Sequence, residues 1–222
     1  MLIIAIPKSA SSSLMKTLSE RHGLPAEQVM FPDLPVPKTC RAVWKLHSDM
    51  RELTEELAAR FADGKKIYKQ HILPTSRNLE LLRDHKKVVL LRSPEEIIAS
   101  YRRGVQKMVT RPLEVFAGCR TVEDWQRRAE DIGVLDDLRW FYDTWGQEGA
   151  DRLVLTYDQV VNQTTQTVAA IEVFWDLPQI SCPATLARQN YARIGSLRTM
   201  TRRIRHRVKK ILVYSSGVFR RI

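Results

Sequence analysis

Short apolar runs alternate with longer amphipathic stretches along this chain, a pattern typical of an α/β protein. Five runs have the length and composition of strands: Leu2–Ile6, Arg41–Leu46, Lys66–Lys69, Val88–Leu91 and Arg152–Thr156. Val88–Leu91 is apolar throughout, as expected of a strand inside a parallel sheet. The pattern predicts a single α/β domain with a central parallel sheet flanked by helices.

Apolar residues recur at helical spacing between these runs. The predicted helices run from Leu14 to His22 with Gly23 as the C-cap, from Ser48 or Asp49 to Gly64, from Arg77 to His85, from Ser93 through Tyr101, over Thr121–Trp145 as one or two helices, and from Asn162 to about Trp175. The helix at Ser93 has a proline at its first position, where a missing N–H costs nothing.

The polar run between the first strand and the first helix carries the candidate chemistry. It contains Lys8, Ser9, Ala10 and three further serines, Ser11 to Ser13. A turn that leads from a strand into a helix N-terminus presents unpaired N–H groups and a positive dipole end, which bind anions. We therefore predict a phosphate or sulfate cradle, although serines before a helix are also ordinary caps. The run lacks the glycines of a Walker A loop.

Net charge distinguishes the two ends of the chain. Its 222 residues suit one domain, and the net charge is +11. The eleven basic residues after Asp176 account for the whole excess, because no acidic residue follows Asp176. We predict an α/β domain over residues 1–178 and a basic helical extension over 179–222. Such a helix suits an anionic membrane surface, an acidic acceptor or nucleic acid, or packs on the domain with a solvated basic face.

The number of cysteines and the lengths of the apolar runs predict the cellular compartment of the protein. Cys40, Cys119 and Cys182 are odd in number and show no metal-site spacing, so we expect a reducing compartment and no metal. The N-terminal apolar run is too short for a signal peptide, and no apolar run is long enough to cross a membrane. We expect a cytoplasmic protein that associates with membranes, if at all, through its basic tail.

Two motifs together resemble those of sulfotransferases that use 3′-phosphoadenosine 5′-phosphosulfate (PAPS). Pro7–Leu14, PKSASSSL, is similar to the 5′-phosphosulfate loop, PKSGTTSL, of that family, with Ala10 where the family has glycine. Leu91–Pro94 with Ser100 resembles the 3′-phosphate motif, in which an arginine and a serine eight positions later bind the nucleotide. Ser100 lies about two helical turns beyond Ser93, so Arg92 and Ser100 can face one ligand.

Three weaker resemblances add candidate residues. Tyr68–Pro74 is similar to the KTHLP stretch, whose histidine is the catalytic base, which favours His71 over His47. Tyr157 matches a tyrosine near the adenine, although plain packing is an alternative. Arg193, in Arg-Ile-Gly-Ser, is a possible substitute for the family's C-terminal 3′-phosphate loop, RKGxxG.

The resemblance implies a P-loop-like sulfotransferase fold and sulfuryl transfer from PAPS to an acceptor hydroxyl, leaving adenosine 3′,5′-bisphosphate (PAP). Lys8 and the loop's residues 9–13 would hold the 5′-phosphosulfate, and His71 would be the general base. The basic tail, and not the resemblance, favours an acidic glycan or a lipid-linked acceptor. Two alternatives stay open: a nucleoside or nucleotide kinase, and a non-enzymatic protein that binds membranes or nucleic acid through the basic tail. Nucleic acid is not expected as a partner of the sulfotransferase.

Overall fold

A computed structural model describes residues 1–29, 41–47, 50 and 52–188. The strands are β1 Leu2–Ala5, β2 Ala26–Glu27, β3 Ile67–Gln70, β4 Lys87–Leu91 and β5 Arg152–Thr156. The α-helices are α1 Ser11–His22, α2 Glu55–Phe61, α3 Ser76–Leu81, α4 Pro94–Gln106, α5 Val122–Asp131, α6 Val134–Trp145, α7 Tyr157–Asn162 and α8 Thr164–Phe174. Two 3₁₀ helices span Ala42–Lys45 and Glu114–Phe116.

The five strands form one parallel sheet in the order β2-β3-β1-β4-β5. The first strand of the chain therefore lies in the middle, and its neighbours β3 and β4 come from later in the sequence. Connections from the central strands leave toward opposite sides of the sheet, which opens a crevice at their carboxyl ends. The loop after β1, the residue after β4 and the end of β3 all meet at this edge.

Helices cover both faces of the sheet, as the pattern of apolar residues predicts. Alternate residues of β1 point to opposite faces: Leu2 and Ile4 join the core beneath α4 to α6, and Ile3 and Ala5 join the core shared with α1 and α8. All four side chains are fully buried. The predicted fold class is confirmed: one α/β unit with a central parallel sheet and helices on both sides.

Two predicted elements differ from the structure. Arg41–Leu46 is not a strand: Ala42–Lys45 forms a 3₁₀ helix, and its Val43 N–H donates to Asp137 Oδ2 of α6 at 3.0 Å. Helix α2 begins at Glu55, where the Thr54 hydroxyl accepts from the Leu57 N–H, and Ser48 and Asp49 lie outside the described residues. Of the one or two helices predicted over Thr121–Trp145, the structure has two, α5 and α6.

The end of the described chain has no helix or strand. Residues 180–188 cross α1 and contact α8, and the helix predicted for the basic tail lies outside the described residues. The predicted division at residue 178 stays a prediction. Within the part of the chain that the structure describes, no helix has the length and apolar character needed to span a membrane.

Candidate functional site

The loop between β1 and α1 has an unusual backbone. Lys8 and Ala10 both have positive φ, 67° and 63°. The buried Ser9 hydroxyl donates to the Ile6 carbonyl at 2.7 Å and so fixes the turn from within. Ala10 is the N-cap of α1 and offers no side-chain acceptor, which leaves the N–H groups of the first helical turn available for a ligand. The loop therefore has the geometry of an anion cradle.

Ala10 occupies a conformation that favours glycine. A left-handed backbone costs an L-residue about 1–2 kcal/mol, whereas glycine adopts it freely but loses more chain entropy on folding. We expect Ala10→Gly to raise the free energy of unfolding by about 0.5–1 kcal/mol, measured by urea denaturation. Ala10→Val is the control, because a β-branched residue at this φ should destabilise the protein. A loss of stability in Ala10→Gly would show that the alanine is not strained.

A cavity of about 460 Å³ lies on one side of the loop, and we call it the basic cavity. Its lining includes five cationic side chains: Lys8, Arg92, Arg103, Lys107 and Arg188. No Asp or Glu is among the described residues that line it. Such a wall is positively charged, although Glu96 Oε2 lies 3.2 Å from Arg92 Nε, and it suits a ligand with several negative charges.

Arg92, at the end of β4, contacts both the anion loop and the start of α7 in the wall of the basic cavity. It follows β4 directly, and its Nη1 donates to the Lys8 carbonyl at 2.8 Å. Its guanidinium lies 3.8 Å from the centre of the Tyr157 ring at the start of α7. Ser100 lines the same cavity from α4, so the sequence-predicted pair of Arg92 and Ser100 does face one space. Tyr157 also lines it, beneath Arg92.

A second cavity, of about 430 Å³, lies on the other side of the loop, and we call it the histidine cavity. His47, His71 and Lys69 line it together with Ser11 and Ser12. Lys8, Ala10 and Val109 line both cavities, so the loop forms the wall between them. Ser13 faces the basic cavity, so Ser11 to Ser13 are divided between the two spaces, whereas the buried Ser9 lines neither.

Lys8 is held at the junction of the cavities. Its Nζ donates to the Thr110 hydroxyl at 3.2 Å and lies 4.8 Å from the centre of the Tyr101 ring. Burial lowers its pKa from the usual 10.5. The segment that carries Thr110 packs closely against α4 at Gly104, where a Cβ would clash with the Thr110 hydroxyl.

His71 has the geometry of a general base. It is 6% exposed, and its Nδ1 lies 2.6 Å from the Ala5 carbonyl. A carbonyl can only accept, so Nδ1 carries the proton and the lone pair of the neutral ring is on Nε2. Nε2 lies 3.4 Å from Lys69 Nζ. Burial, together with the charges of Lys69 and His47, holds the pKa of His71 well below 6.5. The imidazole is therefore neutral at pH 7.

His47, the alternative base, lies directly against His71. The two rings meet edge to face with their centres 4.7 Å apart. His47 Nδ1 is 2.9 Å from the Tyr101 hydroxyl, which can donate or accept, so this contact does not fix the tautomer. The structure thus brings both candidate histidines into one cavity, and a backbone carbonyl fixes the tautomer of His71.

Four cationic residues of the site were not predicted from the sequence. Lys69 precedes His71 by two positions, so strand alternation places both side chains on one face, and this spacing could have identified Lys69. Arg103 and Lys107 follow Ser100 at helical spacing, which was a second available signal. Arg188 has no local signal. Arg193, the residue chosen from the sequence, lies outside the described residues.

The chain resembles known proteins in its structure. No family model matches the chain, and no curated protein matches its sequence. A crystal structure of mouse sulfotransferase SULT7A1 complexed with PAP superposes with a TM-score of 0.50 at 11% identity over 82% of this chain. The chain has the sulfotransferase fold. It spans 59% of the length of the mouse enzyme.

Two further solved structures with this description resemble the chain less closely. A sulfotransferase from Alicyclobacillus acidocaldarius has a TM-score of 0.46 at 16% identity, covering 85% of each chain. The sulfotransferase domain from the curacin biosynthetic pathway has a TM-score of 0.43 at 16% identity, covering 81% of this chain and 74% of that chain.

Proposed function

We propose that the protein is a sulfotransferase that uses PAPS and an acceptor hydroxyl and releases PAP. The observation that carries the proposal is the position of Lys8, which lines both the basic cavity and the histidine cavity. A donor nucleotide in the first and an acceptor in the second would meet at this lysine. The PAP in the mouse structure of the same fold supports the choice of nucleotide.

The residues of the basic cavity fit a PAPS-sized polyanion. The α1 N–H groups and residues 8–13 of the loop would hold the 5′-phosphosulfate. Arg92 and Ser100 would hold the 3′-phosphate, and Tyr157 would lie beside the nucleotide. PAPS supplies the activated sulfuryl group. Arg193 remains a candidate for the same nucleotide.

The histidine cavity would hold the acceptor. His71 Nε2 would take the acceptor's hydroxyl proton, because its Nδ1 proton is already engaged with the Ala5 carbonyl. Lys8 would neutralise the charge that develops between donor and acceptor, and Lys69, 3.4 Å from both Ser12 Oγ and His71 Nε2, would assist it.

The wall of the histidine cavity bears on the acceptor class. Leu46 and Leu113 provide apolar surface, and the exposed Arg111 adds a positive charge. This mixture suits a hydroxyl compound that also carries an anionic group, such as an acidic glycan or a lipid-linked acceptor at an anionic membrane surface. The location that goes with it is the cytoplasm, with membrane association through the basic tail.

Calorimetric titration with PAP tests the proposed nucleotide. We expect micromolar PAP binding that does not depend on Mg²⁺, with little binding of ADP, because ADP lacks the 3′-phosphate. Arg92→Ala should weaken PAP binding by about 10- to 100-fold, the usual cost of a lost charge-assisted contact. Arg60→Ala is the matched control, since Arg60 pairs with Glu27 on the surface and lines neither cavity.

Other outcomes of this titration point to other functions. Preference for Mg-ATP over PAP would contradict the proposal and favour a kinase, which needs a magnesium-binding carboxylate near its phosphates. Binding of none of these nucleotides, together with binding of anionic vesicles or nucleic acid, would favour a non-enzymatic role of the basic tail.

A further inference from the structure

The last described segment of the chain, residues 180–188, is fastened across α1, and we call it the C-terminal strap. Arg21, near the end of α1, makes the main attachment. Its Nη1 donates to the Cys182 carbonyl at 2.9 Å, and its Nη2 donates to the Ile180 carbonyl. A planar guanidinium that binds two carbonyls of one segment fixes the direction of that segment as well as its position.

The Arg21 side chain is itself held by a buried carboxylate. Glu172 on α8 is 1% exposed, and its Oε1 lies 2.6 Å from Arg21 Nε and 3.1 Å from His22 Nε2. A buried ion pair contributes little net stability, because desolvation offsets the attraction, but it restricts geometry strongly. Glu172 therefore orients the guanidinium toward the strap.

A second attachment lies close to the basic cavity. The Ala187 N–H donates to the Thr17 hydroxyl at 2.8 Å, and this hydroxyl in turn donates to the Thr185 carbonyl at 3.4 Å. Thr17 is buried on α1, four residues, or about one helical turn, beyond Ser13 at the end of the anion loop. Arg188 follows Ala187 directly and lines the basic cavity with Arg92. Helix α1 thus begins at the anion loop and also holds the C-terminal strap, which places Arg188 at the basic cavity.

We propose that Arg21, Glu172 and Thr17 are positioning residues that place Arg188 against the anionic nucleotide of the basic cavity. The proposal rests on the proposed function and goes beyond it, since none of the three lines either cavity. Arg188 contacts the nucleotide, and the other three act through the strap. Loss of the Arg21 attachment releases the strap and removes the contribution of Arg188 without touching the ligand.

A double-mutant cycle on PAP affinity tests this coupling. We expect Arg188→Ala to weaken PAP binding about 3- to 10-fold, less than a buried contact because Arg188 is exposed. Arg21→Ala should weaken it by a similar factor. The double variant should bind no more weakly than Arg188→Ala alone, because both changes remove the same contact. Independent, multiplying effects in the double variant would overturn the proposal.

Three further variants separate positioning from general stability. Thr17→Val removes the second attachment while keeping the shape of the side chain, and it replaces Arg21→Ala if that variant does not fold. Arg21→Lys keeps the charge but not the fork, so it should restore only part of the affinity. Lys16→Ala, at an exposed position of α1, is the matched control.

The melting temperature of each variant, compared with its PAP affinity, distinguishes the remaining outcomes. A lower melting temperature with unchanged PAP affinity in Arg21→Ala would show a merely structural ion pair and overturn the proposal. Absence of PAP binding by the unaltered protein would overturn the proposed function, and this inference with it. PAP binding by the unaltered protein without coupling between Arg21 and Arg188 would overturn the inference alone.

Discussion

Replacing His71 by alanine is expected to lower kcat by about two to four orders of magnitude, the usual contribution of a general base. PAP affinity should stay near that of the unaltered protein, because His71 lines only the histidine cavity. The physical reason is the fixed tautomer: the Ala5 carbonyl holds the Nδ1 proton, so Nε2 is the acceptor. Release of PAP from PAPS in the presence of a hydroxyl acceptor measures kcat, and calorimetry measures affinity.

His47→Ala is the matched control for His71→Ala. Its ring lies 4.7 Å from that of His71, so the two variants remove similar groups from one cavity. We expect a smaller loss of turnover in His47→Ala, through looser packing of His71. Normal turnover in His71→Ala with a large loss in His47→Ala would identify His47 as the base instead.

The pH profile gives an independent reading of the same group. The pKa of His71 lies well below 6.5, because of burial and then the charges of Lys69 and His47. A base with a lowered pKa is deprotonated at neutral pH, so kcat/KM should fall only when the pH drops through that lowered pKa. Lys69→Met removes a positive charge, which raises the pKa of His71 and should move the acidic limb toward higher pH. An acidic limb at or above 6.5 in the unaltered protein would contradict this assignment.

Replacing Lys8 by alanine is expected to lower kcat by about 10²–10³, as measured for loss of one preorganised donor at a developing charge. The Thr110 hydroxyl and the Tyr101 ring hold the ammonium at the junction of the two cavities. During transfer, the Lys8 ammonium would contact both the donor nucleotide and the acceptor at this junction. PAP, which lacks the sulfuryl group, depends on it less, so PAP affinity should fall by a smaller factor than kcat.

Lys107→Ala provides the comparison for Lys8→Ala. Lys107 lines the basic cavity but not the histidine cavity, whereas Lys8 lines both. We expect Lys107→Ala to raise KM for PAPS and weaken PAP binding while leaving kcat close to that of the unaltered protein. Equal effects of the two variants on kcat and on PAP affinity would mean that Lys8 is only one more cation of the nucleotide site.

Residues close in sequence determined much of the fold and of the anion loop. The apolar runs predicted β1, β3, β4 and β5, and the Lys8–Ser13 run predicted the turn into α1. Ala10 stands where the family's loop has glycine, and its φ of 63° is one that favours glycine. These features depend on alternation, helix capping and local backbone sterics, which act over a few residues and are therefore visible in the sequence.

Only the tertiary structure placed His47 and Arg188 in the two cavities. His47 follows a 3₁₀ helix rather than a strand and meets His71 because Asp137 of α6 anchors that helix through Val43. Arg188 reaches the basic cavity because Arg21 and Thr17 fasten the strap to α1. Such contacts depend on which faces of separate elements pack together, and residue spacing along the chain carries no record of that packing.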